Sequence, residues 1–369
     1  MGRGGHASGP MVERSGGRGL PGMTSPRPIF IIGTERSGSN LLRTILDAHP
    51  AIAAPHPPHI LHIFGPVIDS YAPLDDPARF RRLADAVARL VRWHIHPWQP
   101  VSDGAALVAA ASSQTLIGLA DAVYASHLRW RGRERWACKS TFNVRYVDAL
   151  RDHYPDARFL WLVRDPRDVV ASTLRSVFGP SSAAAGATLW REQQELGWRA
   201  SAGGTSADVL TIRYEDLVMQ PDPTVRRICA FLDEPFDARM LAPHETAFAQ
   251  QTARLASCWQ GLARPIFATS TQRFANELGG EDVRTVEAIA GPRMVDFGYL
   301  PTLTPAPCGR AASATSDLVL RRVPRRVAIE ARSLFSDRNA MIRWRRRLLL
   351  ATLHLRSTLH CLHRPAAHG

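Results

Sequence analysis

The stretch PIFIIGTERSGSN at residues 28–40 decides the fold of this chain. Its first half, residues 28–33, is a short apolar run typical of a strand buried in a parallel sheet. A turn follows at 34–38, and apolar side chains then recur at helical spacing over 39–47. A strand, a glycine-containing loop and a helix in this order predict a phosphate site, because backbone amides and a helix N-terminus converge there.

Strand and helix patterns alternate further along the chain. Apolar runs predict strands over 136–139, 158–163 and 209–214, and helical spacing predicts helices over 77–93, 105–131, 141–153, 167–176 and 223–232, with 282–294 closing the domain. This alternation indicates an α/β fold in which helices flank a central parallel sheet. With 369 residues, we expect a single P-loop-like domain over 28–300 and appended ends.

Composition excludes several classes of protein. The net charge is +13, yet residues 29–300 are neutral and the basic excess lies in the two ends, which argues against a nucleic-acid-binding body. No run approaches the roughly 18 apolar residues of a membrane span. Five scattered cysteines without a Cys-x-x-Cys pair argue against a disulfide scaffold or structural zinc, and predict a reducing, cytoplasmic location.

The two ends differ from the predicted domain. Residues 1–27 predict a disordered leader without an apolar signal segment, and Met11 or Met23 are alternative starts. Residues 301–369 predict a linker followed by a basic amphipathic helix, with apolar positions at Met341, Trp344, Leu348, Leu355, Leu359 and Leu362 beside Arg343 and 345–347. Such a helix binds an anionic membrane from the inner face, or packs on the enzyme or on a twin subunit of a homodimer. The sequence leaves these alternatives open.

The first motif has Walker spacing without Walker chemistry. Gly33 and Gly38 are separated as in a Walker loop, but Ser39 and Asn40 stand where that loop has its lysine and its magnesium-binding hydroxyl. An ATP-dependent kinase is therefore disfavoured. Arg36 supplies a cation inside the loop instead.

The second motif begins at Arg164, at the carboxyl end of the strand predicted over 158–163. Ligands of open α/β sheets bind at this edge. Ser172 follows eight residues later, so a guanidinium and a hydroxyl are available for a second phosphate. The alternative is that Arg164 pairs with Asp165 or Asp168.

Together the two motifs resemble the sulfotransferase superfamily that uses 3′-phosphoadenosine 5′-phosphosulfate (PAPS), and the first block is closest to its bacterial and tyrosylprotein-type branch. The resemblance covers about residues 28–300. It implies that Arg164 and Ser172 bind the 3′-phosphate, that Tyr214 in Arg-Tyr-Glu-Asp-Leu and Arg264 before Pro265 contact the nucleotide, and that no metal is required. The 5′-phosphosulfate would be bound by Arg36, Ser37, Gly38, Ser39 and Asn40.

Lys139 is the only lysine among 46 basic residues. It stands at the end of the strand predicted over 136–139, and the resemblance implies that it contacts the phosphosulfate. There an ammonium would neutralise the charge that develops on the oxygen between sulfur and phosphorus. The alternative is chance survival of one lysine under a coding bias toward arginine.

Histidine is the candidate residue type for the general base. The resembled branch often carries a glutamate shortly after its His-Pro pair, but here no carboxylate occurs between Pro50 and Asp69. His56 and His59 are the candidates because histidine has the most suitable pKa, and His56 is slightly ahead on ungapped alignment. Either could instead be a structural histidine in a proline-rich loop.

The sequence therefore predicts a PAPS-dependent sulfotransferase acting on a hydroxylated acceptor, which could be a carbohydrate, a lipid or a small metabolite. The alternatives are a P-loop-like nucleotide or sugar kinase, and a non-catalytic membrane-associated nucleotide-binding module. The acceptor itself is not identified by any motif.

Overall fold

A five-stranded parallel sheet forms the centre of the computed structural model, which describes residues 27–96, 98–176, 179–204, 206–255, 257–268, 270–302, 345 and 348–352. The strands lie in the order β2-β3-β1-β4-β5. Their bounds are Ile29–Gly33 (β1), Ile52–Ala53 (β2), Arg135–Cys138 (β3), Arg158–Val163 (β4) and Val209–Arg213 (β5). The predicted α/β class with a central parallel sheet is confirmed.

Helices connect these strands and cover both faces of the sheet. The α-helices are Ser39–Ala48 (α1), Ile60–Phe64 (α2), Pro77–Arg92 (α3), Gly104–Ala110 (α4), Leu116–Arg131 (α5), Val147–His153 (α6), Pro166–Leu174 (α7), Ala183–Ala200 (α8), Tyr214–Met219 (α9), Pro221–Leu232 (α10), Ala247–Ala253 (α11), Phe274–Glu277 (α12) and Gly280–Asp296 (α13). Short 3-10 helices lie at Gly65–Ser70, Thr141–Tyr146, Ala202–Gly204, Ala238–Leu241, Pro243–Glu245 and Ser257–Ala263.

The sheet separates two hydrophobic cores because successive side chains of a strand point to opposite faces. On β1, Phe30 and Ile32 belong to the core beneath α3, α5 and α8, whereas Ile29 and Ile31 belong to the core beneath α1 and α10. Burial on both faces explains why β1 is a continuous apolar run.

The loops that follow β1 and β4 lie side by side. β1 pairs with β3 on one side and with β4 on the other, in the register Gly33↔Leu162. From β1 the chain passes to the β2 and β3 side, and it later crosses to β4 and β5. The carboxyl ends of β1 and β4 therefore flank the switch point, where open α/β sheets bind their ligands.

Helix α8 supports this edge from beneath. The Trp161 indole of β4 donates to Gln194 Oε1 (2.7 Å), and Gln194 Nε2 donates to Thr34 Oγ1 at the start of the first loop (3.1 Å). One turn away, the Trp190 indole donates to the carbonyl of Arg164 (3.0 Å). These buried hydrogen bonds thus fix the positions of both loops relative to α8.

Some predicted elements were wrong in extent. The single helix predicted over 105–131 is two helices, α4 and α5, because Thr115 caps a new helix by accepting from the Gly118 amide. The helix predicted over 141–153 begins as a 3-10 turn and becomes α-helical only at Val147. The strand predicted over 158–163 is confirmed.

The predicted leader over 1–27 lies outside the described residues except for Arg27, and most of the predicted basic helix of the tail lies outside them as well. Of the tail, the structure describes residues 301, 302, 345 and 348–352. None of the helices in the described ranges is long and apolar enough to cross a membrane.

Gly197 on α8 tests the close packing beneath the two loops. A Cβ there would overlap the indole of Trp161, so Gly197→Ala should displace α8 and destabilise the protein by about 1–3 kcal/mol, despite alanine's better helix propensity. Chemical denaturation measures this loss.

Gly280→Ala in α13 is the matched control, because the nearest neighbouring atom would lie 3.7 Å away at the end of Arg284. We expect it to leave the stability unchanged or slightly raised. Equal stability of both variants would contradict tight packing of α8 against β4.

Candidate functional site

A cavity of about 1230 Å³ opens at the carboxyl edge of the sheet. The loop after β1, the residue after β3, the end of β4 with α7, and the segment around residues 259–273 all contribute to its lining. The site is therefore built where the strand ends converge.

The loop after β1 adopts the shape that its glycine permits. Gly38 has a positive φ of 94°, and a Cβ at this position would overlap the ring of Tyr214. The loop thus lies directly against that ring and leads into the N-terminus of α1. No acidic side chain occurs in the first turn of α1, so its positive dipole end is not neutralised there.

The predicted residues of this loop occupy different environments. Arg36, Gly38, Ser39 and Asn40 line the cavity. Ser37 is fully buried and is not among the lining residues, and its hydroxyl makes no hydrogen bond within the described chain.

Arg36 and Ser172 are brought together. Arg36 Nε donates to Ser172 Oγ (3.1 Å), which joins the first loop to the second turn of α7. Both residues line the cavity. The two motifs, 136 residues apart in sequence, therefore form one site.

Arg164 lies between the loop after β1 and the segment near residue 270. Its guanidinium donates to the carbonyls of Arg36 (2.8 Å) and Ser270 (2.5 Å) and lies 4.4 Å from the centre of the Tyr214 ring. It lies 3.7 Å from Asp168, whereas Asp165 pairs with Arg167 instead (2.7 Å). Arg164 therefore forms an ion pair with Asp168 and still lines the cavity.

Asp168 does more than balance Arg164. Its carboxylate accepts from the backbone amides of Gln272 (2.8 Å) and Phe274 (2.9 Å). Burial nevertheless raises its pKa, against the lowering effect of Arg164. These contacts join the Arg164 motif to a segment about 100 residues further along the chain, and no local spacing in the sequence indicates them.

Lys139 stands directly after β3, as predicted, and is buried beside the cavity. Burial lowers its pKa to about 8, and Arg43 and Arg36 add to this while Glu35 opposes it. Among the described residues its ammonium makes no hydrogen bond or ion pair. An anionic ligand bound here would stabilise the charged form of Lys139.

His56 is buried at the cavity between His94 and Trp259, with ring centroids 5.1 and 4.7 Å away. Neither of its ring nitrogens has a hydrogen-bond partner within the described ranges. Burial lowers its pKa well below the usual value, and the charge of Lys139 lowers it further. The ring is therefore neutral at pH 7.

His59 lies at the N-terminus of α2 and also lines the cavity. Its Nδ1 is 2.9 Å from Ser140 Oγ, immediately after Lys139. One turn further on, His62 stacks on Phe142 with centroids 3.6 Å apart and an interplanar angle of 6°. His59 is thus held by the hydroxyl of the residue that follows Lys139.

Tyr214 and Arg264, predicted to contact a nucleotide, both line the cavity. Tyr214 is buried between Arg164 and Gly38. Arg264 is exposed on the segment that leads to Ser270. Sequence reasoning missed Arg175 and Arg273, which also line the cavity.

Charge in the cavity is predominantly positive. Of the described lining residues, Glu35 and Asp168 are acidic, and the basic ones are Arg36, Lys139, Arg164, Arg175, Arg264 and Arg273. No group of three or more His, Cys, Asp or Glu side chains suited to a metal occurs in the part of the chain that is described. The electrostatics favour a ligand with several negative charges.

Known proteins that are similar to this chain include sulfotransferases. Residues 28–238 match the model of the sulfotransferase family. A protein-tyrosine sulfotransferase of Drosophila melanogaster is 22% identical over 78% of this chain, and the chain spans only 55% of that relative. Nodulation protein NoeE of Sinorhizobium fredii is 26% identical over 76% of the chain and 68% of its own length.

Among solved structures, the sulfotransferase domain of the Synechococcus PCC 7002 olefin synthase covers 73% of this chain with 20% identity and a TM-score of 0.47. The family match spans the strand ends, the first loop, Lys139 and the Arg164 motif, so the chain belongs to the sulfotransferase family.

Proposed function

We propose that the protein transfers a sulfuryl group from PAPS to a hydroxyl of an acceptor molecule. The observation that carries this proposal is that arginines, a serine hydroxyl, a lysine and histidines line one cavity. Arg36, Ser172 and Arg164 form one cluster at the ends of β1 and β4. Lys139, after β3, adds an ammonium that has no hydrogen bond or ion pair among the described residues.

Each phosphate of the donor has a candidate partner. The amides at the N-terminus of α1, with Ser39 and Asn40, would hold the 5′-phosphosulfate. Ser172 and Arg164 would hold the 3′-phosphate, and the ring of Tyr214 supports this end of the site. Binding PAPS would then exchange the Arg36–Ser172 hydrogen bond for contacts with phosphate.

The reaction exchanges one sulfur–oxygen bond for another. The acceptor oxygen attacks sulfur while the bond from sulfur to the bridging oxygen of the phosphosulfate breaks, and negative charge accumulates on that oxygen. Lys139 would stabilise this charge, which is a contribution made mainly in the transition state. The acceptor proton passes to a general base.

His59 suits the role of base better than His56. Burial and the charge of Lys139 disfavour the protonated form of His56, so it is poorly suited to receive a proton. His59 is oriented by Ser140, in the arrangement of a base held by a third group. This assignment reverses the order suggested by ungapped alignment.

Ser172→Ala tests the proposed 3′-phosphate site. Loss of one hydrogen bond to a charged group, about 1.5–3 kcal/mol, should weaken binding of 3′-phosphoadenosine 5′-phosphate (PAP) roughly ten- to a hundredfold. Adenosine 5′-phosphate, which lacks the 3′-phosphate, should bind both proteins equally. Isothermal titration calorimetry without magnesium measures these affinities.

Equal losses for the two nucleotides would mean that Ser172 has only a structural role. A wild-type protein that binds ATP with magnesium tightly and PAP weakly would favour a kinase instead. Tight PAP binding with no sulfuryl transfer across a broad panel of alcohols, using labelled PAPS, would favour a non-catalytic binding module.

Lys139→Arg tests the proposed role of the ammonium. With a pKa of about 8 in the free enzyme and a higher pKa in the complex, Lys139 should make PAP binding strongest below pH 8 and weaker as the pH rises above it. Arginine stays protonated, so this pH dependence should disappear. Its planar fork cannot replace a compact ammonium, so we expect kcat to fall about a hundredfold.

Calorimetry between pH 7 and 9.5 and steady-state kinetics with labelled PAPS provide the two measurements. Wild-type kcat in the arginine variant would show that the single lysine is a consequence of coding bias.

His59→Gln tests the base. Loss of a general base should lower kcat by about 10²- to 10⁴-fold while PAP affinity stays constant. His56→Gln is the matched control, and we expect it to change kcat less than tenfold. The opposite ranking of the two variants would assign the base to His56.

A further inference from the structure

Three consecutive leucines of the tail occupy three different environments. Leu348 is 62% exposed, and Leu349 is 6% exposed within the core that also holds Phe64 and Trp190. Leu350 lines the cavity of the proposed active site. A segment some 50 residues beyond α13 therefore packs on the domain and reaches the site.

Leu350 belongs to a group of mainly apolar lining residues that we call the acceptor wall. Its members line the cavity and come from α2 and the turn after it, from the 3-10 helix Thr141–Tyr146, from α8 and from the tail: His62, Ile63, Pro66, Phe142, Leu189 and Leu350.

The elements that carry this wall are joined to one another. His62 of α2 stacks on Phe142, and Arg145, three residues later, pairs with Glu192 of α8 (3.6 Å). Ile63 packs against the same core that buries Leu349. The wall is thus part of the folded domain, and residue 350 is attached to it through its neighbour.

Contacts with His59, the proposed base, make this the acceptor side. The first loop, with Arg36, lines the proposed phosphate end of the cavity. His59 contacts Phe142 of the wall edge-on (centroids 5.9 Å apart) and is hydrogen-bonded to Ser140, the residue that follows Lys139. A hydroxyl placed between Lys139 and His59 would have the rest of its molecule against the wall.

The wall contains no aspartate, glutamate, lysine or arginine among the residues described. The charged lining residues described lie in the first loop, at Lys139, at Arg164 after β4, on α7 and directly after it, and in the segment 264–273. A carboxylate against the wall would lose its hydration without gaining a cation, which is costly. An apolar body would gain from the same contact.

The cavity has space for a second molecule. Pockets for one drug-sized ligand have volumes of about 300–1,000 Å³, and this cavity has about 1230 Å³. Donor and acceptor can therefore occupy it together.

We propose that Leu350 completes the acceptor wall, and that this wall selects an uncharged alcohol with an apolar body. The inference rests on the proposed function, because it takes the other end of the cavity as the site of the donor. It gives the C-terminal segment a direct part in substrate choice.

Leu350→Glu and Leu348→Glu form a matched pair for testing this proposal. Glutamate at 350 would bring a negative charge to the wall, whereas at 348 it would point into solvent. Binding of 2-naphthol, an uncharged apolar alcohol, is measured by calorimetry with and without saturating PAP. We expect at least tenfold weaker binding to Leu350→Glu, unchanged binding to Leu348→Glu, and unchanged PAP affinity in both.

A tyrosine peptide flanked by glutamates is titrated in parallel. Tighter binding of this peptide than of 2-naphthol to the wild-type protein would overturn the proposal. Equal 2-naphthol affinity in the two variants, with unchanged circular dichroism spectra, would overturn it as well. Failure of PAP to bind contradicts the proposed donor instead, and the titrations without PAP still decide the role of the wall.

Discussion

The guanidinium of Arg164 joins the parts of the chain that form the phosphate end of the cavity. It binds the Arg36 carbonyl in the loop after β1 and the Ser270 carbonyl in a distant segment, while its face covers Tyr214. The carbonyl of Arg164 is in turn held by Trp190 of α8. A lysine could not reproduce this arrangement, because it lacks the planar fork that reaches two carbonyls and stacks on a ring at once.

Positive charge is concentrated around this point at an energetic cost. Arg43, fully buried beneath the site, has its pKa lowered to about 10 by burial, and the pKa of Lys139 is lowered to about 8. Asp47 and Glu35 offset part of this cost. A pKa lowered by burial means that the charged form is under-solvated, so an anionic ligand stabilises the protein as it binds. We regard this poorly solvated positive charge as the physical reason why the site would bind the proposed anionic donor.

The strands that build the sheet were predictable because burial on both faces produces continuous apolar runs, as in β1 and β4. The two-residue strand β2 was missed because such a short segment has no periodicity, and its pairing is fixed by the register with β3. Helix α8 was missed although it is long and its buried positions recur at helical spacing, because alanine, glycine and glutamine fill most of those positions and give a weak amphipathic pattern. The break between α4 and α5 depends on the Thr115 cap, which a search for periodicity alone overlooks.

The domain boundaries at 28 and 300 and the roles of the site residues stay predictions.

The two ends of the cavity differed in how far they could be predicted, for a physical reason. The donor end is assembled from strand ends, whose neighbours follow from the order β3-β1-β4, so motifs distant in sequence are adjacent in space. The acceptor wall is assembled from α2, α8 and the tail, which meet through side-chain packing that no local spacing encodes. In the proposed function, Ser172 and Arg36 must stay in register with the sheet to hold phosphate, whereas Leu189 or Leu350 can change without disturbing a strand. One scaffold would thus keep the proposed donor chemistry while helices and a C-terminal segment determine which alcohol is accepted.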